Sequence, residues 1–147
     1  MSLPPPGLSG LDPAWSREVS AVDSTGVECT WHVLDSGSGE RGTLLCVHGN
    51  PSWSYLWRRL VAAPPPGWRV VAVDQMDMGF SDRTGTLRRL AQRVDDLDTV
   101  TAALGLTGPV VTVAHDWGGP VSLGWALRHT DQLAGVVLSN TGVHQPE

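Results

Sequence analysis

Short apolar runs, separated by turn residues and by segments of helical length, dominate the pattern of this chain. Four runs are almost wholly apolar, as expected for strands buried on both faces of a parallel sheet. They cover residues 43–47, 70–73, 110–113 and 134–138. Two earlier segments, 19–22 and 29–34, also predict strands, with a Ser-Thr-Gly turn between them.

Helical spacing is found between the later strands. Residues 87, 90, 94, 97, 101 and 104 form one mostly apolar stripe, and Gly105 follows where a carboxyl-terminal cap belongs. Residues 120–129 predict a second helix, whose first turn accepts Pro120. A shorter helix around residues 55–60 ends at a Pro-Pro-Pro-Gly run. Alternating strands and helices predict an α/β fold, a mainly parallel sheet with flanking helices and functional residues at the carboxyl ends of its strands.

The chain divides into two parts by composition. Residues 1–16 carry a Pro-Pro-Pro-Gly run and little periodicity, so we expect a flexible lead-in. Residues 17–147 contain all the predicted strands and helices, and we assign them to a single domain.

Composition and charge exclude several classes of function. The net charge of -5 and the absence of lysine argue against nucleic-acid binding. No apolar run is long enough to span a membrane, and no secretory leader is visible. Cys29 and Cys46 lack metal-ligand spacing and lie in strand-like segments, which predicts reduced core cysteines in a cytoplasmic protein. No spacing predicts a metal or an organic cofactor.

The segment from Val113 to Pro120 carries the chemistry. It follows a predicted buried strand and leads into a helix, the context of a nucleophile elbow, in which a sharp turn presents one side chain to the active site. Asp116 occupies the nucleophile position in place of Ser or Cys. A carboxylate there attacks carbon to give an ester intermediate. The alternative, in which Asp116 only caps the following helix, accounts less well for the Trp-Gly-Gly that follows it.

Two further residues predict a site for a leaving group. Trp117 offers an indole N–H, and Asn50, in the turn His48-Gly49-Asn50-Pro51 after the neighbouring strand, offers an amide N–H. Neutral donors that converge from two strand ends suit a departing anion. Asn50 as a simple turn residue ahead of Pro51 is the alternative.

Three motifs resemble the haloalkane dehalogenases of the α/β-hydrolase superfamily, in order and at the expected spacing from about residue 29 to residue 140. They are the His-Gly-Asn-Pro turn at 48–51, Ser-Tyr-Leu-Trp-Arg at 54–58 and His-Asp-Trp-Gly-Gly at 115–119. The resemblance implies that Asp116 is the nucleophile, that Asn50 and Trp117 hold the departing halide, and that the substrates are a small hydrophobic molecule and water.

Related activities remain open. The β-lactone decarboxylases of olefin biosynthesis share the Asn-Pro and His-Asp-Trp-Gly-Gly elements and resemble residues 138–141 better than many dehalogenases do. Epoxide hydrolases share the Asp nucleophile but commonly carry an aromatic residue at the position of Asn50. A serine esterase is the most distant alternative, because Ser122 lies beyond the turn, on the predicted helix.

Two positions depart from the dehalogenase pattern. Asn140 stands where one subgroup carries its catalytic acid, and an amide cannot supply that charge. Asp77 stands where the family usually has Gly, so a backbone with positive φ would be strained there, although Asp tolerates it better than most residues.

The resemblance also implies missing parts. In the superfamily a cap domain and the base His follow the region of Asn140, whereas this sequence ends at Glu147. We therefore expect the amino-terminal half of a hydrolase, without the cap and not competent for turnover alone, which belongs to a longer chain or is a catalytically incomplete fragment. His144 lacks an acid partner, so we do not expect it to replace the base.

The remaining polar residues have structural interpretations. We expect the rings of His48 and His115 to bond nearby backbone. Asp74 and Asp82 are expected to stabilise the loop after their strand, and Arg88 to lie on a solvated helix face.

Overall fold

The computed structural model describes residues 3–142, which fold into one six-stranded sheet with flanking helices. The spatial order of the strands is β1-β2-β4-β3-β5-β6. Their bounds are β1 Ser16–Val22, β2 Glu28–Asp35, β3 Gly42–Val47, β4 Trp68–Val73, β5 Val110–His115 and β6 Leu133–Ser139. The β1/β2 and β2/β4 pairs are antiparallel, and β4, β3, β5 and β6 run parallel. The predicted α/β fold with a mainly parallel sheet is confirmed.

Three α-helices connect the strands, namely α1 Arg58–Ala62, α2 Leu90–Ala103 and α3 Gly118–Arg128. Each lies where the sequence predicted a helix, and α3 begins two residues earlier than predicted. Single 3₁₀ turns cover Pro13–Trp15 and Ser54–Trp57. Leu11 and Trp15 pack against the face of the sheet that α1 covers. No helix within residues 3–142 has both the length and the apolar surface that crossing a bilayer requires.

The central strands are buried on both faces, as their apolar runs predicted. Leu45 and Val47 of β3 belong to the core under α2 and α3, whereas Leu44 and Cys46 face the α1 side. Alternation along a strand places neighbouring residues on opposite faces, so an uninterrupted apolar run fits a strand with two covered faces. The two cysteines are free and buried, as predicted.

The sixth strand is not buried, contrary to the prediction for residues 134–138. Within the described residues β6 pairs with β5 alone and forms an edge of the sheet. Val136, Val137 and Leu138 are 38%, 50% and 36% exposed. An apolar run indicates that a strand prefers burial, but it does not show what covers that strand.

Arg88 does not lie on a solvated face either. Its guanidinium is buried and contacts three carboxylates, those of Asp23, Asp77 and Asp96. The separations are 2.7 Å to Asp77 and 2.6 Å to Asp96. These partners come from the β1–β2 turn, the loop after β4 and helix α2, so helical spacing around Arg88 could not reveal them. The cluster fixes the loop after β4 to the body of the domain.

Candidate active site

Three adjacent strand ends meet at one edge of the sheet. Because β3 lies between β4 and β5, the residues that follow them come together there. These are the turn at residues 48–51, Asp74 and Asp116. The parallel register, with Val47 opposite both Val73 and Ala114, sets all three ends at the same level.

Asp116 occupies a sharp turn between β5 and α3. Its φ is 54°, in the left-handed region that residues other than glycine rarely adopt. Such a conformation is costly and occurs most often at functional sites, where surrounding contacts hold it. The strand, turn and helix predicted for the elbow are all present, and the turn leaves the Asp116 side chain at the carboxyl edge of the sheet.

The turn after β3 lies directly against this carboxylate. The backbone N–H of Asn50 donates to Oδ1 of Asp116 over 2.8 Å. Gly49 permits the approach, because a Cβ at Gly49 would lie 2.2 Å from that oxygen and 2.6 Å from the backbone nitrogen of Trp117. The turn, the carboxylate and the first peptide of α3 are therefore in mutual contact.

These contacts favour the ionised form of Asp116. The backbone N–H of Trp117 and then that of Asn50 lower the pKa of the carboxyl group, and the small burial of the group opposes them only weakly. Hydrogen bonds to a carboxylate stabilise its charge, and the amino-terminal end of α3 adds a favourable dipole. The group is therefore negatively charged at neutral pH, as a nucleophile must be.

The side chains of Asn50 and Trp117 lie at the open edge of the site. Asn50 is exposed and Trp117 is 43% exposed, so both residues are accessible from solvent. The backbone N–H of Asn50 also donates to Asp116, a contact that the sequence did not predict. The part of their side chains in holding a leaving group stays a prediction.

His48 has the structural role that the sequence predicted. Its Nδ1 lies 2.9 Å from the carbonyl oxygen of Gly49, and its Nε2 accepts a hydrogen bond from the backbone N–H of Gln75 over 3.1 Å. Since Nε2 accepts, the ring carries its proton on Nδ1 and is neutral, and burial lowers its pKa in agreement. The Gln75 side chain also donates to the His48 carbonyl over 2.5 Å. The sequence did not indicate Gln75, whose backbone and side chain both donate to His48 and so hold the turn at residues 48–51 in place.

The other histidines near the site differ from the expectation. The Nδ1 of His115 is buried and has no hydrogen-bond partner among the described residues, so the predicted bond to backbone is wrong. His144 lies outside the described residues.

Asp74 and Asp82 stabilise the loop after β4, as predicted. Asp74 accepts hydrogen bonds from the backbone N–H groups of Ser54 (2.6 Å) and Phe80 (2.8 Å) and contacts Nδ1 of His32 at 2.9 Å. Asp82 accepts one from the backbone of β2. The loop is therefore tied both to the 3₁₀ turn Ser54–Trp57 and to β2.

A second residue missed from the sequence is Thr141. Its hydroxyl donates to the backbone carbonyl of Asp116 over 2.6 Å. Nothing in the local pattern around Thr141 indicated this contact, which joins residues far apart in the chain. Ser122, by contrast, is buried on α3 and its hydroxyl donates to the carbonyl of Gly119, so it is not displayed at the edge of the sheet. Residues 3–142 contain no cluster of His, Cys, Asp or Glu side chains arranged to hold a metal ion.

Comparison with known proteins identifies a fold family and relatives of this chain. Residues 42–147 match the family model described as the alpha/beta hydrolase fold. The chain is 40% identical over 116 residues to a cis-3-alkyl-4-alkyloxetan-2-one decarboxylase of Xanthomonas campestris pv. campestris, a match that covers 74% of this chain and 39% of that protein. It is 37% identical over 111 residues to haloalkane dehalogenase 2 of Mycobacterium tuberculosis, covering 75% and 38%.

Two solved structures, a haloalkane dehalogenase and an esterase, have a similar fold. The haloalkane dehalogenase DatA from Agrobacterium tumefaciens superposes with a TM-score of 0.73 at 28% identity, over 86% of this chain and 41% of that one. A thermophilic esterase from Thermogutta terrifontis superposes with a TM-score of 0.76 at 26% identity, over 90% and 47%. The chain spans about two fifths of the length of the curated relatives it matches.

Proposed function

The chain belongs to the alpha/beta hydrolase fold family, and from this premise we propose that Asp116 is the nucleophile of an enzyme that displaces a leaving group from an alkyl carbon, as a haloalkane dehalogenase does. One observation carries the proposal: a carboxylate with φ of 54° stands at the elbow with Oδ1 bound by the Asn50 N–H. A cap for α3 would need neither the strained backbone nor an amide from another strand.

The first step follows from this geometry. With Oδ1 held by backbone N–H, the second oxygen of Asp116 is the one left to attack carbon. A carbon–oxygen bond forms, the carbon–halogen bond breaks, and the halide leaves with the electron pair. The exposed amide of Asn50 and the indole N–H of Trp117 are the proposed donors to that anion.

The second step releases the ester. Water adds to the ester carbonyl, and the negative charge develops on Oδ1, the oxygen to which the Asn50 N–H donates. This step needs a base to take a proton from water. No histidine ring within residues 3–142 bonds to the Asp116 carboxylate, so we propose that the base is supplied from outside the described part of the chain.

A β-lactone is the second candidate substrate. The 40% identity to the decarboxylase and the amide at Asn140 favour it. Attack of Asp116 on the alkyl carbon would open the ring and free a carboxylate. Loss of carbon dioxide would then form the alkene as the bond to Asp116 breaks, which restores the nucleophile without water.

The natural protein, as its host produces it, distinguishes the two candidates. Halide release from a short bromoalkane would support the first, and alkene release from a dialkyl β-lactone the second. In water enriched in ¹⁸O, hydrolysis of the ester transfers the label to Asp116, whereas decarboxylation leaves Asp116 unlabelled. Release of neither product would refute both.

The nucleophile is tested by Asp116→Asn. Removal of a nucleophile commonly costs about 10⁶ in turnover, so whichever activity is present should disappear. Asp131→Asn, on the exposed surface, is the matched control and should retain activity. An Asp116→Asn protein with wild-type turnover would show that Asp116 is not the nucleophile.

A further inference from the structure

The peptide group between Asp116 and Trp117 is bonded at its carbonyl end from two directions. Its carbonyl oxygen accepts a hydrogen bond from the N–H of Gly119, over 3.0 Å within the first turn of α3. It also accepts the 2.6 Å bond from the hydroxyl of Thr141, which follows β6. The bond from Thr141 comes from outside α3, and the first turn of α3 would form without it.

The nitrogen at the other end of the same peptide belongs to Trp117 and lies beside the Asp116 carboxylate, because a Cβ at Gly49 would lie 2.2 Å from Oδ1 and 2.6 Å from this nitrogen. The N–H there lowers the pKa of the Asp116 carboxyl group. Because a peptide group is planar, a bond that fixes the direction of its C=O also fixes the direction of its N–H. Donation to the carbonyl oxygen also polarises the group, which makes its N–H a stronger donor. The Thr141 hydroxyl, bonded to the carbonyl end of this peptide, therefore affects how strongly its N–H end stabilises the charge of the Asp116 carboxylate.

The path of the chain after β6 explains how Thr141 reaches this position. Ser139 pairs with His115 at the end of β5, and Asn140 then adopts a φ of 44°. This left-handed turn, which Asn accommodates better than most residues, precedes Thr141. Gly119 leaves the space for the contact, because a Cβ there would lie 2.0 Å from the Thr141 hydroxyl oxygen.

We propose that Thr141 is a positioning residue for Asp116, which orients and polarises the peptide that supplies the Trp117 N–H to the reacting carboxylate. The proposal rests on the nucleophilic role of Asp116 proposed above. It also gives residues 140 and 141 a role of their own: Asn140 makes the turn, and Thr141 makes the bond to the elbow.

Two substitutions in the natural protein separate the hydroxyl from the shape of the side chain. Thr141→Val keeps the branched shape and removes the donor, whereas Thr141→Ser keeps the donor and removes a methyl group. Loss of a whole oxyanion donor costs about 10²–10³ in rate, so weakening one should lower kcat by about tenfold, with KM little changed. We expect this loss in Thr141→Val and recovery of most of kcat in Thr141→Ser.

The pKa of Asp116 is the second measurement, followed through the ¹³C chemical shift of its carboxyl group. We expect the pKa to rise in Thr141→Val and to stay at the wild-type value in Thr141→Ser. If Thr141→Val does not fold, as judged by circular dichroism, Thr141→Ala takes its place because it also lacks the donor.

Two outcomes would overturn the proposal. One is a Thr141→Val (or Thr141→Ala) protein with wild-type kcat and an unchanged Asp116 pKa. The other is a Thr141→Ser protein as impaired as Thr141→Val, which would assign the effect to packing. The ¹³C titration needs no turnover, so an enzyme inactive on both substrates would refute the proposed function and still leave the role of Thr141 measurable.

Discussion

Among residues 3–142, three residues other than glycine have a left-handed backbone, namely Asp77, Asp116 and Asn140. Each is Asp or Asn, for which this conformation costs least. Asp116 and Asn140 lie at the elbow and at the turn that supports it. Asp77, at φ 66°, confirms that the position where the related enzymes usually have Gly requires a positive φ here.

The side chain of Asp77 offsets the cost of its backbone. Its carboxylate accepts hydrogen bonds from the backbone N–H groups of Thr84 (2.6 Å) and Gly85 (3.0 Å) and pairs with the buried Arg88. Glycine would relax the backbone but would leave these donors and one side of the guanidinium without a partner. The substituted residue is therefore part of the charge cluster that holds the loop.

Substitution of Asp77 tests whether its side-chain contacts contribute more to stability than its backbone strain costs. A hydrogen bond to a charged group is worth about 1.5–3 kcal/mol, so Asp77→Asn, which keeps acceptor oxygen and backbone tolerance, should lower the free energy of unfolding by about 1–2 kcal/mol. Asp77→Gly should lower it by about 2–4 kcal/mol, because every acceptor is lost. Urea denaturation of the natural protein measures both. A Gly variant more stable than wild type would mean that backbone strain exceeds the value of the contacts.

At the scale of elements, the first turn of α3 and the segment after β6 lie so close together that a Cβ at residue 119 would lie 2.0 Å from the Thr141 hydroxyl oxygen. Gly119→Ala should therefore displace Thr141 and cost about 1–3 kcal/mol, as overpacking commonly does. Gly135→Ala is the matched control, because its Cβ would meet Val111 at an ordinary 3.7 Å. Thermal denaturation of the two variants measures the difference. Equal melting temperatures would show that the helix and the strand can separate without cost.

Elements could be predicted from the sequence more fully than the contacts between them. Strand and helix periodicities are local, and so are the Asp-Trp-Gly-Gly sequence of the elbow and the His-Gly-Asn-Pro turn, which explains why Asp116, Trp117 and Asn50 could be named as candidates from the sequence. The contacts of Thr141, Gln75 and Arg88 depend instead on which strands become neighbours. No spacing along the chain encodes that order, so their roles became visible only in the folded sheet.

At the scale of the whole molecule, several buried carboxylates predict a stability that depends on pH in acid. Burial alone raises the pKa of Asp23, Asp35, Asp74 and Asp77, but hydrogen bonds, together with arginine neighbours for all but Asp74, outweigh it and lower the pKa of each carboxyl group. A carboxyl group with a lowered folded pKa contributes stability above its unfolded pKa and loses it as the pH falls toward the folded value.

We therefore expect the urea midpoint to fall gradually below about pH 6.5, where the unfolded chain but not the buried His48 takes up a proton, and to fall steeply below about pH 4, where the carboxylates are protonated. Asp77→Asn removes one of these groups and should make the fall shallower. A wild-type midpoint that stays constant down to about pH 2.5 would contradict the assigned pKa shifts.

The exposed side chains of β6 predict a second property of the whole molecule. The 147-residue polypeptide, expressed alone, should bind a hydrophobic fluorescent dye or self-associate, since Val136, Val137 and Leu138 expose apolar side chains on both faces of β6, which within residues 3–142 is an edge of the sheet. Val137→Lys should reduce dye fluorescence. Leu127→Lys, at an exposed residue on α3, is the control and should leave the fluorescence unchanged. A monomeric polypeptide that binds no dye would contradict the prediction.

The parallel pairing of β3 with β5 also affects how the chain is made. Thr43 lies opposite Val110, and the contacts around the nucleophile extend from Asn50 to Thr141. At a synthesis rate of roughly 5–20 residues per second, the ribosome needs on the order of ten seconds to pass from one end of this interval to the other. During that time β3 and β4 are exposed without their later neighbours, and apolar strands exposed in this way favour aggregation. The bond from Thr141 to the Asp116 carbonyl can form only after Thr141 has left the exit tunnel, so this support of the elbow is added after the elbow itself has been synthesised.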